Sequence, residues 1–280
     1  MSPRGLTHFK ESKLIWIFKN PVISTALLIR QVKPGYDLGT MVIFGLILIL
    51  AVVQSLFGVG ILLFGTPILL ILGYDYQEAL LYLLPASAAI SWSQVWDYRT
   101  QKLDGGYRRL FFLFCIPLLI IGMILTHHYD LKFEIKVFVT LMLIVAFILR
   151  SSSRLQLKLT SFMQRRLKFA LGLMGLIHGL SNMGGSILTP LVSSLYKDKS
   201  KVLAGVSFDY AFMATLQLVM LVLIQGHRFA PEYLVGCGIS LAVRYTVGKK
   251  VFAFTKDIYY QKLINGFILA NAIVLCLSFK

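Results

Sequence analysis

Long apolar stretches alternate with short polar connections along most of the chain. A stretch of about 20 mostly apolar residues is long enough to cross the hydrocarbon core of a bilayer as a helix. Eight segments of this kind, with two half-length apolar pieces between them, predict an all-α, polytopic integral membrane protein with 8–10 transmembrane segments. The eight are 38–57, 76–96, 109–126, 133–149, 167–181, 202–225, 231–248 and 258–277, and the two short pieces are 59–73 and 185–196.

Each half-length piece follows a glycine-containing interruption of an apolar run. The first interruption is the sequence 55–60, followed by Thr66-Pro67, and the second is 178–186, followed by Thr189-Pro190. Pro190 lies 123 positions after Pro67, and the same spacing relates Asp75 to Asp198, Leu80 to Leu203, Ala88 to Ala211 and Gln94 to Gln217. This spacing predicts two homologous halves with interrupted helices, and paired interruptions of this kind are typical of a transporter's binding site.

The chain is predicted to have four parts. Residues 1–37 form a basic segment, 38–149 the first transmembrane repeat, 150–166 a basic linker and 167–280 the second repeat. The apolar pieces of the first 37 residues are too short to cross the membrane, so an amphipathic segment on the cytoplasmic face is expected. We expect a multi-pass protein of the cell membrane with a cytoplasmic N-terminus.

The distribution of lysine and arginine gives a prediction of topology, because cytoplasmic loops carry an excess of these residues. The N-terminal segment, the loop 97–109 and the linker are all basic and are predicted to be cytoplasmic. In the first half this requires four crossings, with 59–73 entering and leaving on one side. The lysines after 185–196 fit better if that piece crosses fully. The sequence therefore leaves open whether the short pieces cross or re-enter, and whether the repeats are parallel or inverted.

Composition narrows the possible functions. The chain is 57% apolar and 14% charged, whereas about 25% of the residues of a soluble domain are charged. The net charge of +16 comes from basic residues between apolar runs. This distribution indicates membrane topology and not nucleic-acid binding. The three cysteines have no metal-ligand or disulfide spacing. No cofactor is expected; the expected partners are the lipid bilayer and a small anion, and a homodimer is one arrangement that the sequence leaves open.

The interruptions supply the candidate chemistry. A helix that restarts after a break presents free N–H groups and the positive end of its dipole, which together bind anions. Hydroxyl and amide side chains nearby would orient the ligand, although close helix packing and interhelical hydrogen bonding are the ordinary alternatives for such residues. The candidate substrate-binding residues are Gly58, Gly60, Thr66, Pro67, Gln94, Asn182, Gly184, Gly185, Ser186, Thr189, Pro190 and Gln217.

Three ionisable residues inside apolar runs are candidates for coupling. Such residues are costly in a membrane and usually functional. His178 would act as a proton-linked donor, Asp209 as a proton acceptor and Arg244 as a counter-charge. The alternatives are a backbone hydrogen bond for His178, a structural ion pair for Asp209 and snorkelling from a helix end for Arg244.

The motifs of common enzyme classes are missing from the sequence. It contains no P-loop and no G-x-S-x-G nucleophile motif. We therefore expect a carrier and not an enzyme. An anion channel, a non-transporting membrane scaffold and an intramembrane enzyme are the competing hypotheses.

The duplicated break followed by proline resembles the sulfite exporter TauE/SafE family, also called the toluene-sulfonate uptake permeases. The matching segments are Gly58-Val59-Gly60 to Thr66-Pro67 and Gly184-Gly185-Ser186 to Thr189-Pro190, and the resemblance extends over about 40–280. It implies ATP-independent secondary transport of small sulfur-containing anions, such as sulfite or organosulfonates. The two repeats with interrupted helices favour alternating access between the halves. Family members often carry three consecutive glycines in each copy, whereas this chain has Gly60-Ile61-Leu62 in the first. The bulkier first break suggests a ligand held by one half, with the other mainly a scaffold.

Overall fold

A computed structural model describes residues 38–128, 152–196, 198–224 and 230–255, together with positions 141 and 144. These residues form helices joined by short turns, without strands in the described ranges. The helices are α1 (Leu38–Phe57), α2 (Ile61–Ile71), α3 (Tyr76–Asp97), α4 (Gly105–Leu110), α5 (Ile116–His128), α6 (Ser153–Arg165), α7 (Leu167–Ser181), α8 (Gly185–Leu195), α9 (Lys199–Ile224), α10 (Tyr233–Val243) and α11 (Lys249–Phe254). Single π-helical turns, Phe111–Cys115 and Arg244–Gly248, join α4 to α5 and α10 to α11.

The predicted all-α membrane fold is confirmed. Among the described residues, three helical stretches are long and apolar enough to cross a membrane: Leu38–Phe57, Gly105–Thr126 and Lys199–Leu223. The segment predicted at 109–126 begins four residues earlier, because α4 and the π turn continue directly into α5. The predicted segments 133–149 and 258–277 and the N-terminal segment 1–37 lie outside the described residues, apart from positions 141 and 144.

The first break folds α1 and α2 into a hairpin. Near the tip, α2 packs back on α1, since a Cβ placed on Gly60 would lie 2.7 Å from the backbone nitrogen of Gln54. Helix α1 runs in the same direction as α3: Phe44 packs on Tyr82 near the start of both helices, and Gln94 contacts the end of α1. The start of α1 and the end of α2 therefore both lie on the side of the bundle where α3 begins.

The second break makes a similar hairpin from α7 and α8. Helix α7 runs alongside α5, and a Cβ on Gly175 or Gly179 would overlap the main-chain carbonyl of Cys115 or Leu119. Glycine permits this approach of two backbones, as is common between membrane helices. At the other end of the hairpin, the side chain of Gln164 hydrogen-bonds the Ser194 carbonyl, which ties α6 to the end of α8. Both arms of this hairpin thus meet at one end of the bundle.

Helices α3 and α9 lie 123 positions apart in sequence and pack against each other in opposite directions. The Trp92 indole N–H donates to the Thr215 hydroxyl (2.9 Å), two residues related by the repeat spacing. The loop after α3 lies beside the start of α9, because the Asp104 N–H donates to the Tyr196 hydroxyl (3.0 Å). Equivalent helices that run in opposite directions are the signature of inverted repeats. Homology of the two halves stays a prediction, which this arrangement supports.

Basic loops collect at one end of the bundle, here called the basic end, formed by loop 98–104, helix α6, the turn after α8 and the end of α11. The Lys199 ammonium donates to the Thr255 carbonyl (2.7 Å), which joins the last two of these segments. The second hairpin returns the chain to this end, so the lysines after 185–196 lie there. The lysine count favours a full crossing by 185–196, whereas α8 is an 11-residue arm of the hairpin. The first hairpin opens at the opposite end, so Leu38 lies away from loop 98–104. The prediction that 59–73 re-enters alone differs from this arrangement, because α1 and α2 form the hairpin together.

Candidate functional site

The first break closes tightly around glycine. Gly58 ends α1 with φ of 74°, a left-handed conformation that strains residues with a Cβ. A Cβ there would also lie 2.7 Å from Val206 Cγ1 on α9. Gly60 touches the backbone of α1 instead, as described above. Both glycines are therefore required by geometry, one by its backbone conformation and the other by the close return of α2.

Gln54 fills the polar space inside this first break. Its Oε1 accepts the Ile61 N–H (3.0 Å) and so caps the start of α2. Its Nε2 donates to the Ser87 carbonyl (2.9 Å) and to the Ser91 hydroxyl (3.0 Å), and the Ser87 hydroxyl donates to its Oε1 (3.1 Å). The α2 N–H that faces the break is thus already bonded to a protein side chain.

Gln94 completes the network from α3. Its Nε2 donates to the main-chain carbonyls of Gln54 (3.0 Å) and Ser55 (3.1 Å) at the end of α1. Its Oε1 accepts the Ser207 hydroxyl (2.9 Å) from α9. Every polar atom of the Gln94 side chain therefore has a protein partner, as buried polar groups normally do.

The second break is built around a left-handed asparagine. Asn182 ends α7 with φ of 64°, and its N–H donates to the His178 carbonyl (2.8 Å). Its Nδ2 donates to the Thr66 hydroxyl (3.0 Å) on α2, so the tip of one hairpin is bonded to the arm of the other. The tips also touch through Gly185, where a Cβ would lie 3.5 Å from Val59 Cγ1.

His178 lies where the second break turns into α8. A Cβ on Gly184 would lie 2.5 Å from His178 Cβ and 2.9 Å from its Nδ1. The imidazole packs against Tyr210 of α9 with a centroid distance of 5.6 Å. Gln217, two turns further along α9, donates from Nε2 to the His178 carbonyl (3.2 Å). This bond is the counterpart of the one from Gln94 to Ser55, since both residue pairs are related by 123 positions.

Several fully buried polar atoms around the second break have no hydrogen-bond partner within the described residues. The residues that carry these atoms are neighbours: Tyr210 packs on His178 and lies beside Gly185, and Gln217 bonds the His178 carbonyl. The atoms include both hydrogen-bond donors and acceptors. Such atoms are rare in folded proteins and need an explanation where they cluster. The atoms are His178 Nδ1 and Nε2, Asn182 Oδ1, Tyr210 Oη and Gln217 Oε1. The His178 ring lies beside the Gln217 side chain and Tyr210 Oη beside the Leu63 main chain, without normal hydrogen-bond geometry.

The remaining candidates at the breaks bond locally. The Ser186 hydroxyl donates to the Met183 carbonyl (2.7 Å), and its N–H donates to the same carbonyl (3.0 Å). The Thr189 hydroxyl lies 3.4 Å from the Gly185 carbonyl. Pro67 and Pro190 lie inside α2 and α8, where each leaves one helical carbonyl without its usual N–H donor.

Two predicted coupling residues lie apart from the breaks. Asp209 is fully buried on α9 and accepts a short hydrogen bond from the Tyr107 hydroxyl. Arg244 is 1% exposed in the second π turn, and its Nη2 pairs with Asp97 Oδ2 at 2.8 Å. Lys249 pairs with the other oxygen of Asp97 (3.0 Å), so these three residues form an ion cluster at the basic end.

Burial raises the pKa of the Tyr98 hydroxyl, which lies outside the helices, and the positive charge of Arg244 offsets part of that rise. The Arg244 guanidinium therefore interacts electrostatically with Tyr98, just after α3, as well as with Asp97. Its predicted role as a counter-charge for a ligand stays a prediction, and in this conformation Asp97 and Lys249 are the charged groups bonded in its cluster.

Sequence reasoning did not assign Gln54, Ser87, Tyr107 or Tyr210 to a site. A signal for one of them was present, because Tyr210 lies 123 positions after Ser87, and these two residues contact the two breaks from equivalent helices. Tyr107 gives no such signal, since its role depends on the packing of α4 against α9.

A protein-family model described as Sulfite exporter TauE/SafE matches residues 43–275. The matched range includes both breaks and all the helices described, apart from the first five residues of α1. Comparison with curated proteins and comparison with solved structures each give no significant match.

Proposed function

Because the chain belongs to the sulfite exporter TauE/SafE family, a family of membrane transporters, we propose that it carries sulfite or a small organosulfonate on a site at its second break. The family membership makes it an exporter-type membrane transporter. The proposal adds the substrate class, the location of the site and movement by alternating access.

The observation that carries the proposal is the difference between the two breaks. At the first break, Gln54 and Gln94 use their polar atoms on protein partners. At the second break, buried polar atoms of His178, Asn182 and Gln217 have no hydrogen-bond partner of normal geometry among the described residues. Buried polar atoms that the protein does not satisfy are available to a ligand with several oxygen atoms, such as sulfite or a sulfonate.

The start of α8 adds an electrostatic contribution. The first turn of a helix carries the positive end of its dipole. In α8 the N–H groups of Ser186, Ile187 and Leu188 already donate to main-chain carbonyls, so the contribution of this end is the dipole itself. Gly184 and Gly185 stand at this end, where the His178 and Tyr210 side chains pack directly against them. The imidazole of His178 and the Asn182 and Gln217 amides would then orient the oxygen atoms of the anion.

Alternating access has a structural basis in the two hairpins. They enter from opposite ends of the bundle, their tips touch at Gly185 and Val59, and the tip of the second is bonded to the arm of the first from Asn182 to Thr66. A relative movement of the hairpins would open the second break toward one end at a time. We expect the bond from Asn182 to Thr66 to break and re-form during each cycle.

The test is flux of labelled sulfite into sealed proteoliposomes. Gly184→Leu should abolish saturable flux, because even its Cβ would lie 2.5 Å from His178 Cβ and the larger side chain would fill the break. Gly45→Leu is the matched control, since a Cβ on Gly45 of α1 would meet no atom within 4 Å. Saturable flux that survives in folded Gly184→Leu, or wild-type flux no higher than in empty liposomes, would contradict the proposal.

A further inference from the structure

Asp209 presents an incompletely bonded carboxyl group inside α9. The side chain is fully buried, and the Tyr107 hydroxyl donates to its Oδ2. Its Oδ1 has no hydrogen-bond partner within the described residues. One carboxyl oxygen is therefore held in place, and the other is left to carry a proton.

The charged surroundings of this carboxyl come from the segment that packs on α9. The titratable and charged groups that act on Asp209 are Tyr107 and Arg108 of α4 and Cys115 of the first π turn. Arg108 lies with its guanidinium 4.9 Å from the centre of the Phe208 ring. Among the described residues no cationic nitrogen lies within 4.0 Å of Asp209, so the carboxylate has no direct ion-pair partner.

A buried carboxylate without a counter-ion is unfavourable in a membrane protein, whereas the protonated form is neutral and can donate from its own O–H. Residues of this type within membrane helices are commonly parts of proton relays. The Tyr107 hydroxyl stabilises the ionised form through a charge-assisted hydrogen bond. The pair is thus arranged so that both protonation states are accessible.

Helix α9 connects this carboxyl directly to the second break. The next residue, Tyr210, packs on His178, and its hydroxyl would lie 3.2 Å from a Cβ on Gly185. Gln217 on the same helix bonds the His178 carbonyl. A shift of α9 that accompanies a change at Asp209 would therefore move two of the groups that line the break.

We propose that Asp209 is the proton-binding group that couples sulfite movement to a pH gradient, with Tyr107 as its positioning residue. This inference rests on the proposed function and names its coupling ion. Protonation places hydrogen on the free Oδ1, and release of that proton restores the carboxylate bonded to Tyr107. Arg244 does not fit this role because a guanidinium keeps its proton in proteins. His178 is assigned to the substrate instead.

The experiment separates coupling from transport. Purified protein in proteoliposomes is assayed for counterflow of labelled sulfite without a gradient, and for accumulation of labelled sulfite driven by an imposed pH gradient of either orientation. Asp209→Asn, which resembles the protonated acid, should keep counterflow within about threefold of wild type and lose gradient-driven accumulation. Asp75→Asn is the matched control, because Asp75 is an exposed carboxyl before α3. It should retain both activities.

Tyr107→Phe gives a second readout if Asp209→Asn does not fold. Loss of the hydroxyl removes a bond that favours the ionised carboxyl, so the pH at half-maximal coupling should rise by about one unit. Counterflow in wild type together with unchanged gradient-driven accumulation in Asp209→Asn, or an unshifted profile in Tyr107→Phe, would overturn the inference. Absence of gradient-driven accumulation in wild type would overturn it as well. Absence of counterflow in wild type would overturn the proposed function itself.

Discussion

Gln94→Leu is expected to lower the free energy of unfolding far more than Gln217→Leu does, although the two glutamines are related by the repeat spacing. The change removes the amide and keeps a side chain of similar size. Gln94 loses three hydrogen bonds, to the Gln54 and Ser55 carbonyls and from the Ser207 hydroxyl. Gln217 loses one, to the His178 carbonyl.

The size of the difference follows from the number of bonds. A typical protein hydrogen bond contributes about 0.5–1.5 kcal/mol net, and interhelical bonds in membranes fall in a similar range. Three bonds at Gln94 give a loss of about 2–4 kcal/mol in unfolding free energy, reduced slightly because the Gln54 carbonyl still accepts the Gly58 N–H. One bond at Gln217 gives about 1 kcal/mol.

Two assays on the same preparations check this reasoning. Equilibrium unfolding in mixed micelles measures the stability of each variant, and sulfite flux in proteoliposomes measures its transport. Gln217→Leu should lose at least tenfold in flux at low sulfite while remaining folded, because it removes an amide that we propose binds the anion. Equal stability losses at the two positions, or normal flux in Gln217→Leu, would refute the assignment of Gln94 to the scaffold and Gln217 to the site.

Two further predictions concern packing and charge. Gly175→Ala should cost about 1–3 kcal/mol in micelle unfolding, because its Cβ would overlap a main-chain carbonyl of the neighbouring segment, whereas Gly45→Ala should cost nothing. An equal effect of the two alanines would contradict the close approach of α5 and α7. Asp97→Asn should cost roughly 1–3 kcal/mol because it leaves Arg244 buried without its partner; Lys249→Gln, at a side chain 41% exposed, should cost less than about 1 kcal/mol. Thermal unfolding of both variants checks this order. A larger loss of stability in Lys249→Gln than in Asp97→Asn would contradict the prediction.

The positions of both breaks could be predicted from the sequence because their cause is local. Glycine followed by Thr-Pro interrupts an apolar run in either half, and the structure ends α1 and α7 at Phe57 and Ser181. The repeat spacing also found Gln94 and Gln217, which make equivalent bonds to the ends of the broken helices. One detail differs: the left-handed residues Gly58 and Asn182 are 124 positions apart, whereas the Thr-Pro pairs are 123 apart.

Contacts between distant segments could not be predicted in this way. The partner of Arg244 is Asp97, 147 positions earlier, and nothing in either local sequence links the two. The closure of the first break by Gln54 depends on how sharply α2 returns along α1. The direction of the repeats was open because the charge counts of the two halves disagreed. Contacts such as the bond from Asp104 to Tyr196 place α3 and α9 in opposite directions, which supports inverted repeats.

The location of the anion is the central claim, and anomalous diffraction tests it most directly. Crystals soaked in selenite, the selenium analogue of sulfite, would show the bound atom in an anomalous difference map. A selenium peak is expected at the second break, within hydrogen-bond reach of His178, Asn182 and Gln217, and it should vanish in Gly184→Leu. A peak at Gly58–Gly60 or beside Arg244, with none at the second break, would contradict the claim.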